Sequence, residues 1–193
     1  MKEKKHISIM IFMVSLSLFC SYHIYYYFLD KGGNDLVRSY YTNNISLVED
    51  KPIVQKVSTD DEEYLGILKI PKINLVQGFY NINSKNNNVN KSVTILKEST
   101  FPNNNGSIIY LTAHSGIGYL AFFKDLDKLE LDDLVIVDIN SNSYKYIVSD
   151  IYEVNRTGKI EVKHNINENN LVLSTCSKDK TKQLVIVCKM INK

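Results

Sequence analysis

Tryptophan is absent from the 193 residues, and proline, cysteine, histidine and arginine are scarce, at three, three, four and two. The net charge of +2 is too small to make nucleic acid the main partner. Three cysteines (Cys20, Cys176 and Cys188), one of them in an apolar N-terminal run, do not make a disulfide framework. None of them shows the close CxxC spacing of a zinc or thioredoxin-like redox site. No Gly-rich phosphate loop occurs, and Glu98, Asp125, Asp127 and Asp138 do not form a calcium loop, so no metal and no cofactor is expected. The length allows one domain and a modest extension.

What is present begins with a basic hexapeptide, MKEKKH, followed by a stretch from Ile7 to Leu29 without Asp, Glu, Lys or Arg. That is about the length a helix needs to cross a bilayer. Tyr22, Tyr25, Tyr26 and Tyr27 suit the membrane–water interface, and His23 belongs with them. The positive-inside rule puts Lys2, Lys4 and Lys5 in the cytoplasm and the remainder outside. No A-x-A-type cleavage site follows, so an uncleaved anchor is expected rather than a signal peptide. The expected organisation is a cytoplasmic tail over 1–6, a transmembrane anchor over 7–29, a polar stalk over 30–63 ending in DDEE, and a folded extracellular domain over 64–193.

That domain reads as many short strands with one or two short helices. LGILKI and INLVQGFY are β-rich segments broken by Pro71. NINSKNNNVN is an Asn-rich loop without a packing face, SVTILKEST suggests a helical turn, and FPNNNG is a turn signal. SIIYLTAH is a strand ending in His114. Leu120, Phe123, Leu126 and Leu129 recur at helical spacing. LDDLVIVDI, YKYIVSDIYEV, GKIEV, NLVLSTC and KQLVIVCKMI complete the strands, which suits a mainly β barrel or sandwich. Phe122, Phe123, Leu126, Leu129 and Leu131 are expected in the core, and Cys188 is expected buried and inert.

A cysteine nucleophile needs a basic or cationic neighbour, because the thiolate is the reactive form. His6 and His23 belong to the anchor region, and His164 lies in the polar segment HNINENN. His114, at a strand end before the Ser115-Gly116 turn, is the better placed partner for Cys176. Spacing alone does not bring the two together.

The blocks LGILKIPKINL, LTAHSG, FFKDLDKLELDDLVIV and LVLSTC, in that order, resemble those of the sortases, the membrane-anchored cysteine transpeptidases of Gram-positive bacteria. The resemblance runs from about Tyr64 to Ile191. It implies a closed eight-stranded sortase-type β-barrel preceded by the transmembrane helix. It also implies Cys176 as nucleophile and His114 as its acid/base partner. The implied substrates are secreted proteins with a C-terminal LPXTG-like sorting signal. The implied acceptor is an amine, from a cell-wall peptide or a pilin lysine.

Three positions depart from the family pattern. Ala113 stands where Gly often precedes the His, and Asp132-Asp133 stands for a Gly-Asp turn. Gln183 stands where the final strand usually opens with an Arg aimed at the substrate. Arg38 and Arg156 lie outside that strand, and Arg156 would reach the site only from another loop. Gln183 is therefore expected to replace the Arg as a hydrogen-bond donor, with Thr175 and Ser115 shaping the substrate and oxyanion side. Lys182 is the alternative, although strand alternation points it away from Gln183. A sortase-fold scaffold with weakened catalysis and a hydrolytic cysteine peptidase stay open beside the transpeptidase. The subclass is open too, with no lid segment apparent.

Overall fold

The computed structural model describes residues 2–45, 63–102, 106–158, 162 and 167–192. The chain divides into two compact units, residues 1–35 and 36–193. Among the described residues one helix, α1 (Lys2–Ile45), is long and apolar enough to cross a membrane. It runs well past the expected anchor boundary at Leu29. In the second unit, Leu36, Val37, Tyr40 and Tyr41 pack against Tyr64, Ile67 and Tyr80. The part of the expected stalk from 46 to 62 lies outside the described residues.

Among the described residues the second unit has eight strands: β1 (Gly66–Ile70), β2 (Leu75–Phe79), β3 (Thr94–Ile95), β4 (Ser107–Thr112), β5 (Leu134–Ile139), β6 (Asn142–Asn155), β7 (Asn169–Cys176) and β8 (Lys182–Asn192). They form one sheet in the order β2-β1-β5-β6-β8-β7-β4-β3. Its two edges meet through a bridge between Phe79 and Val93, so the sheet rolls into a nearly closed barrel. All neighbouring pairs are antiparallel except β4 and β7, which run parallel.

Local chemistry explains the breaks. Pro71 lacks the donor that a continuing strand needs, and a short 3-10 turn, Pro71–Ile73, separates β1 from β2. Asn74 closes that turn in the left-handed region. Asn140 and Ser141 both take positive φ, which makes the tight two-residue hairpin between β5 and β6. SVTILKEST contributes the short strand β3, where Asn87 pairs with Ile95 through both its amide oxygen and its amide nitrogen, and then a turn in which the Ser99 N–H donates to the Leu96 carbonyl at 3.1 Å. GKIEV lies mostly outside the described residues, as does His164.

Strand alternation sorts the side chains onto two faces. Leu171, Leu173, Leu184, Ile186 and Cys188 lie in the barrel core with Phe123, Leu126 and Leu129. Burial pushes the Cys188 thiol pKa up, which keeps it in the inert form. Leu131, expected in the core, is 61% exposed. The segment after His114 is not a helix. It is a set of turns ending in one 3-10 turn, Leu126–Lys128, and Gly116 and Gly118 take positive φ at its start.

The opposite face of β4, β6, β7 and β8 carries a smaller cluster of Val172, Val185 and Val187. Tyr110, Tyr152 and Val154 pack around it, and Val162 from the β6–β7 connection joins them.

Candidate active site

The site is a consequence of register. The parallel β4–β7 ladder pairs Ser107 with Asn169 and runs on to Thr112 with Ser174. Continued two residues past the end of β4, this register brings His114 level with Cys176, where Ser115 bonds to the Cys176 carbonyl. The antiparallel β7–β8 ladder sets Cys176 directly opposite Gln183. The β6–β8 ladder then sets Val154 opposite Gln183. His114, Cys176, Gln183 and Val154 thus form one row across four strands at the sheet's end. Residues directly opposite in a ladder share a face, so Cys176 and Gln183 lie with Val154 on the valine-lined face, outside the barrel core.

Hydrogen bonds fix this row from below. The Thr112 hydroxyl donates to the Ser174 carbonyl at 3.0 Å, and the buried Thr175 hydroxyl donates to the Ala113 carbonyl at 2.8 Å. The Ser115 hydroxyl donates to the carbonyl of Cys176 itself at 2.7 Å. The His114 carbonyl accepts from the Phe123 backbone at 3.0 Å, and Phe123 is buried in the core. The backbones carrying the imidazole and the thiol are therefore tied to each other and to the barrel. Thr175 and Ser115, expected on the oxyanion side, both have their hydroxyl protons engaged with backbone carbonyls.

His114 has a partner that the sequence reading missed. Its Nε2 lies 3.1 Å from the side-chain oxygen of Asn90, in the Asn-rich loop. That loop is held by its own asparagines: Asn88 accepts from the Asn90 backbone at 2.9 Å, and Asn87 bridges Ile82 and Ile95. The richness in Asn was visible, but nothing in the sequence assigned one of them to the histidine.

Gln183 is half-buried, and its side-chain Oε1 is buried without a hydrogen-bond partner among the described residues. Lys182 points the other way, with its ammonium 3.6 Å from Glu153 and 3.9 Å from Asp179. Ser177 also bonds to Glu153, so this opposite face of the β7–β8 turn is braced by its own pairs. Among the described residues, no group of three His, Cys, Asp or Glu side chains is arranged to hold a metal ion.

The family's Gly-Asp turn has a structural counterpart. Asp132 adopts φ 68°, the left-handed conformation that glycine takes most easily. Asp133 accepts from the Glu130 backbone at 2.6 Å and pairs with Lys72 at 2.8 Å. That ties the turn before β5 to the turn after β1.

The model of the sortase domain matches residues 68–191. Among solved structures, a Streptococcus agalactiae sortase C1 is 22% identical, with a TM-score of 0.61 over 83% of this chain and 86% of its own. A lid mutant of sortase A from Corynebacterium diphtheriae is 18% identical, with a TM-score of 0.60 over 83% of this chain and 94% of that one. A sortase C-1 from Actinomyces oris is 17% identical, with a TM-score of 0.62 over 81% and 99%. At these identities the likeness is one of fold. None of the curated proteins matches the chain.

Proposed function

This chain belongs to the sortase family, and on that premise we propose that it is a membrane-anchored transpeptidase acting through a thioester on Cys176. The observation that carries the reading is the row itself: Cys176 lies opposite Gln183 and level with His114, on a face that is not the barrel core.

The Cys176 thiolate attacks the carbonyl carbon of a sorting-signal amide. A C–S bond forms, and the carbonyl π electrons move onto oxygen. Collapse of that tetrahedral intermediate breaks the C–N bond, and the departing amine takes a proton from the His114 imidazolium. An incoming amine gives its proton to the neutral imidazole, attacks the thioester, and expels the Cys176 thiolate. Two modest barriers replace one difficult amide exchange. Asn90 holds Nε2 of His114, and the Gln183 amide donates to the developing oxyanion.

The substrate class is a secreted protein with an LPXTG-like signal, and the acceptor is a cell-wall or pilin amine. The N-terminal helix would anchor the chain with its basic end in the cytoplasm and the barrel outside, as the positive-inside rule directs. The reading is tested by intact-mass analysis of the full chain in detergent with a panel of such peptides. An acyl adduct on Cys176, absent from Cys176→Ala, supports it. No adduct across the panel, with Cys176 still open to alkylation, sinks it.

A second reading has one observation in its favour. Gln183 supplies no charge, and its side-chain oxygen has no partner among the described residues, as a sortase-fold scaffold with weakened catalysis would allow.

A further inference from the structure

The tetrahedral intermediate carries a full negative charge, yet the row of His114, Cys176, Gln183 and Val154 contains no permanent cation. Gln183 is a neutral donor. Lys182, beside it in sequence, is turned to the opposite face and paired with Glu153 and Asp179. The register of β6 locates the missing charge.

β6 is bulged between Val148 and Asp150, and from Asp150 onward its pairing with β8 is regular: Tyr152 with Val185, Val154 with Gln183, Asn155 with Lys182. The ladder then extends one step further, because the Arg156 backbone donates to the Thr181 carbonyl at 2.8 Å. Arg156 is therefore opposite Thr181 and two residues beyond Val154. Alternation places it on the face that holds Val154, Gln183 and Cys176. It is the diagonal neighbour of Gln183, at the spacing of about 7–8 Å that long side chains bridge.

Arg156 is exposed, and among the described residues no carboxylate lies within ion-pair distance of it. Its diagonal neighbour offers a buried acceptor without a partner, the Oε1 of Gln183. A guanidinium has donors to spare and no acceptor, so the two groups are complementary.

We infer that Arg156, from the end of β6, supplies the cationic oxyanion donor of this site. One edge of its guanidinium donates to Gln183 Oε1, which turns the Gln183 amide nitrogen toward Cys176. The other edge faces the scissile carbonyl. Gln183 and Arg156 together replace a single charged donor on β8, with the charge carried one strand away. This rests on the transpeptidase reading above and names a further residue for it.

The test measures the rate of acyl-enzyme formation on Cys176 in the full chain in detergent, using a sorting-signal peptide. Alkylation of Cys176 by iodoacetamide, followed in parallel, reports an intact fold and an open thiol. Arg156→Ala lowers acylation about 10²-fold, in the range for loss of one oxyanion donor, while alkylation is unchanged. Arg156→Lys retains part of the rate, because the charge persists without the fork. The decisive variant is Arg156→Ala combined with Gln183→Arg, which returns a guanidinium to β8 and recovers at least tenfold of the loss. A purely structural role for Arg156 would not be rescued from the neighbouring strand. Equal acylation by the parent and Arg156→Ala overturns this assignment and leaves the transpeptidase reading standing. A parent that alkylates normally but never acylates overturns both.

Discussion

The Ser115 hydroxyl donates to the backbone carbonyl of Cys176 at 2.7 Å, joining the loop that carries His114 to the strand end that carries the thiol. Sequence puts these two residues 61 positions apart, and only the parallel β4–β7 ladder brings their strand ends level. The bond acts on geometry: it holds two backbones in register rather than touching the reacting atoms.

Ser115→Ala should therefore slow acylation about tenfold, since small misplacement of a catalytic group is costly. Cysteine alkylation should change little. Ser115→Thr, which keeps the hydroxyl, should restore most of the rate. Equal rates for Ser115→Ala and the parent would show that the tie is idle.

Asn90→Ala removes the side-chain oxygen that Nε2 of His114 meets at 3.1 Å. That contact orients the ring, so its loss should let the imidazole turn away from the reacting atoms. The acylation rate should fall by about three- to tenfold. Equal acylation rates for Asn90→Ala and the parent would mean that Asn90 does not hold the ring in the working enzyme.

Gln183→Ala removes the amide donor opposite Cys176 and should lower acylation about 10- to 10²-fold. Gln183→Glu, of the same shape but bearing a negative charge beside the oxyanion, should be worse than Ala. The ratio of the two rates, read from single-turnover acylation, checks the sign of the electrostatics.

Asp138 links β5 to α1 and β1. Its carboxylate lies 2.7 Å from the Lys69 ammonium and 2.5 Å from the Tyr41 hydroxyl, and its backbone carbonyl accepts from Tyr40 at 3.1 Å. Burial pushes the carboxyl pKa up, but the hydrogen bonds from Lys69 and Tyr41 outweigh it and hold the group below the usual carboxylate range. A lowered folded-state pKa means that this stability is present above the unfolded value of about 4. It is lost as pH falls through the folded value. Asp138→Asn should cost about 1–3 kcal/mol at pH 7, less than a fully buried pair because Lys69 is partly exposed. In denaturant titrations the gap between variant and parent should narrow below about pH 4. A gap that is constant down to pH 2 would contradict the assignment.

Asp132 sits at φ 68°, where a Cβ is strained. Asp132→Ala should destabilise by about 1 kcal/mol, while Asp132→Gly should be neutral or stabilising. Thermal melts of both variants decide the point.

Much of the barrel was legible because its strands alternate cleanly and Pro71, Asn140 and Ser141 punctuate them. The helical spacing over Leu120–Leu129 shows the limit. Phe123, Leu126 and Leu129 are indeed buried, but turns starting at Gly116 and Gly118 and the 3-10 turn Leu126–Lys128 bury them, not an α-helix. Motif and strand offset singled out Cys176, His114 and Gln183, and the ladders bring their strand ends to one end of the sheet. Asn90 was not singled out, because a loop's long-range partner leaves no periodic trace. The face of Arg156 was equally hidden. It depends on the bulge between Val148 and Asp150, which shifts the parity of β6 and cannot be counted from residue spacing.

The most direct measurement is product analysis of the full chain in detergent with an LPXTG-like peptide, with and without a primary amine acceptor. A transpeptidase gives an amide product that requires the amine and passes through an acyl adduct on Cys176. The same products with and without amine would instead mean hydrolysis. No adduct on a thiol that still alkylates would mean a sortase fold without its chemistry.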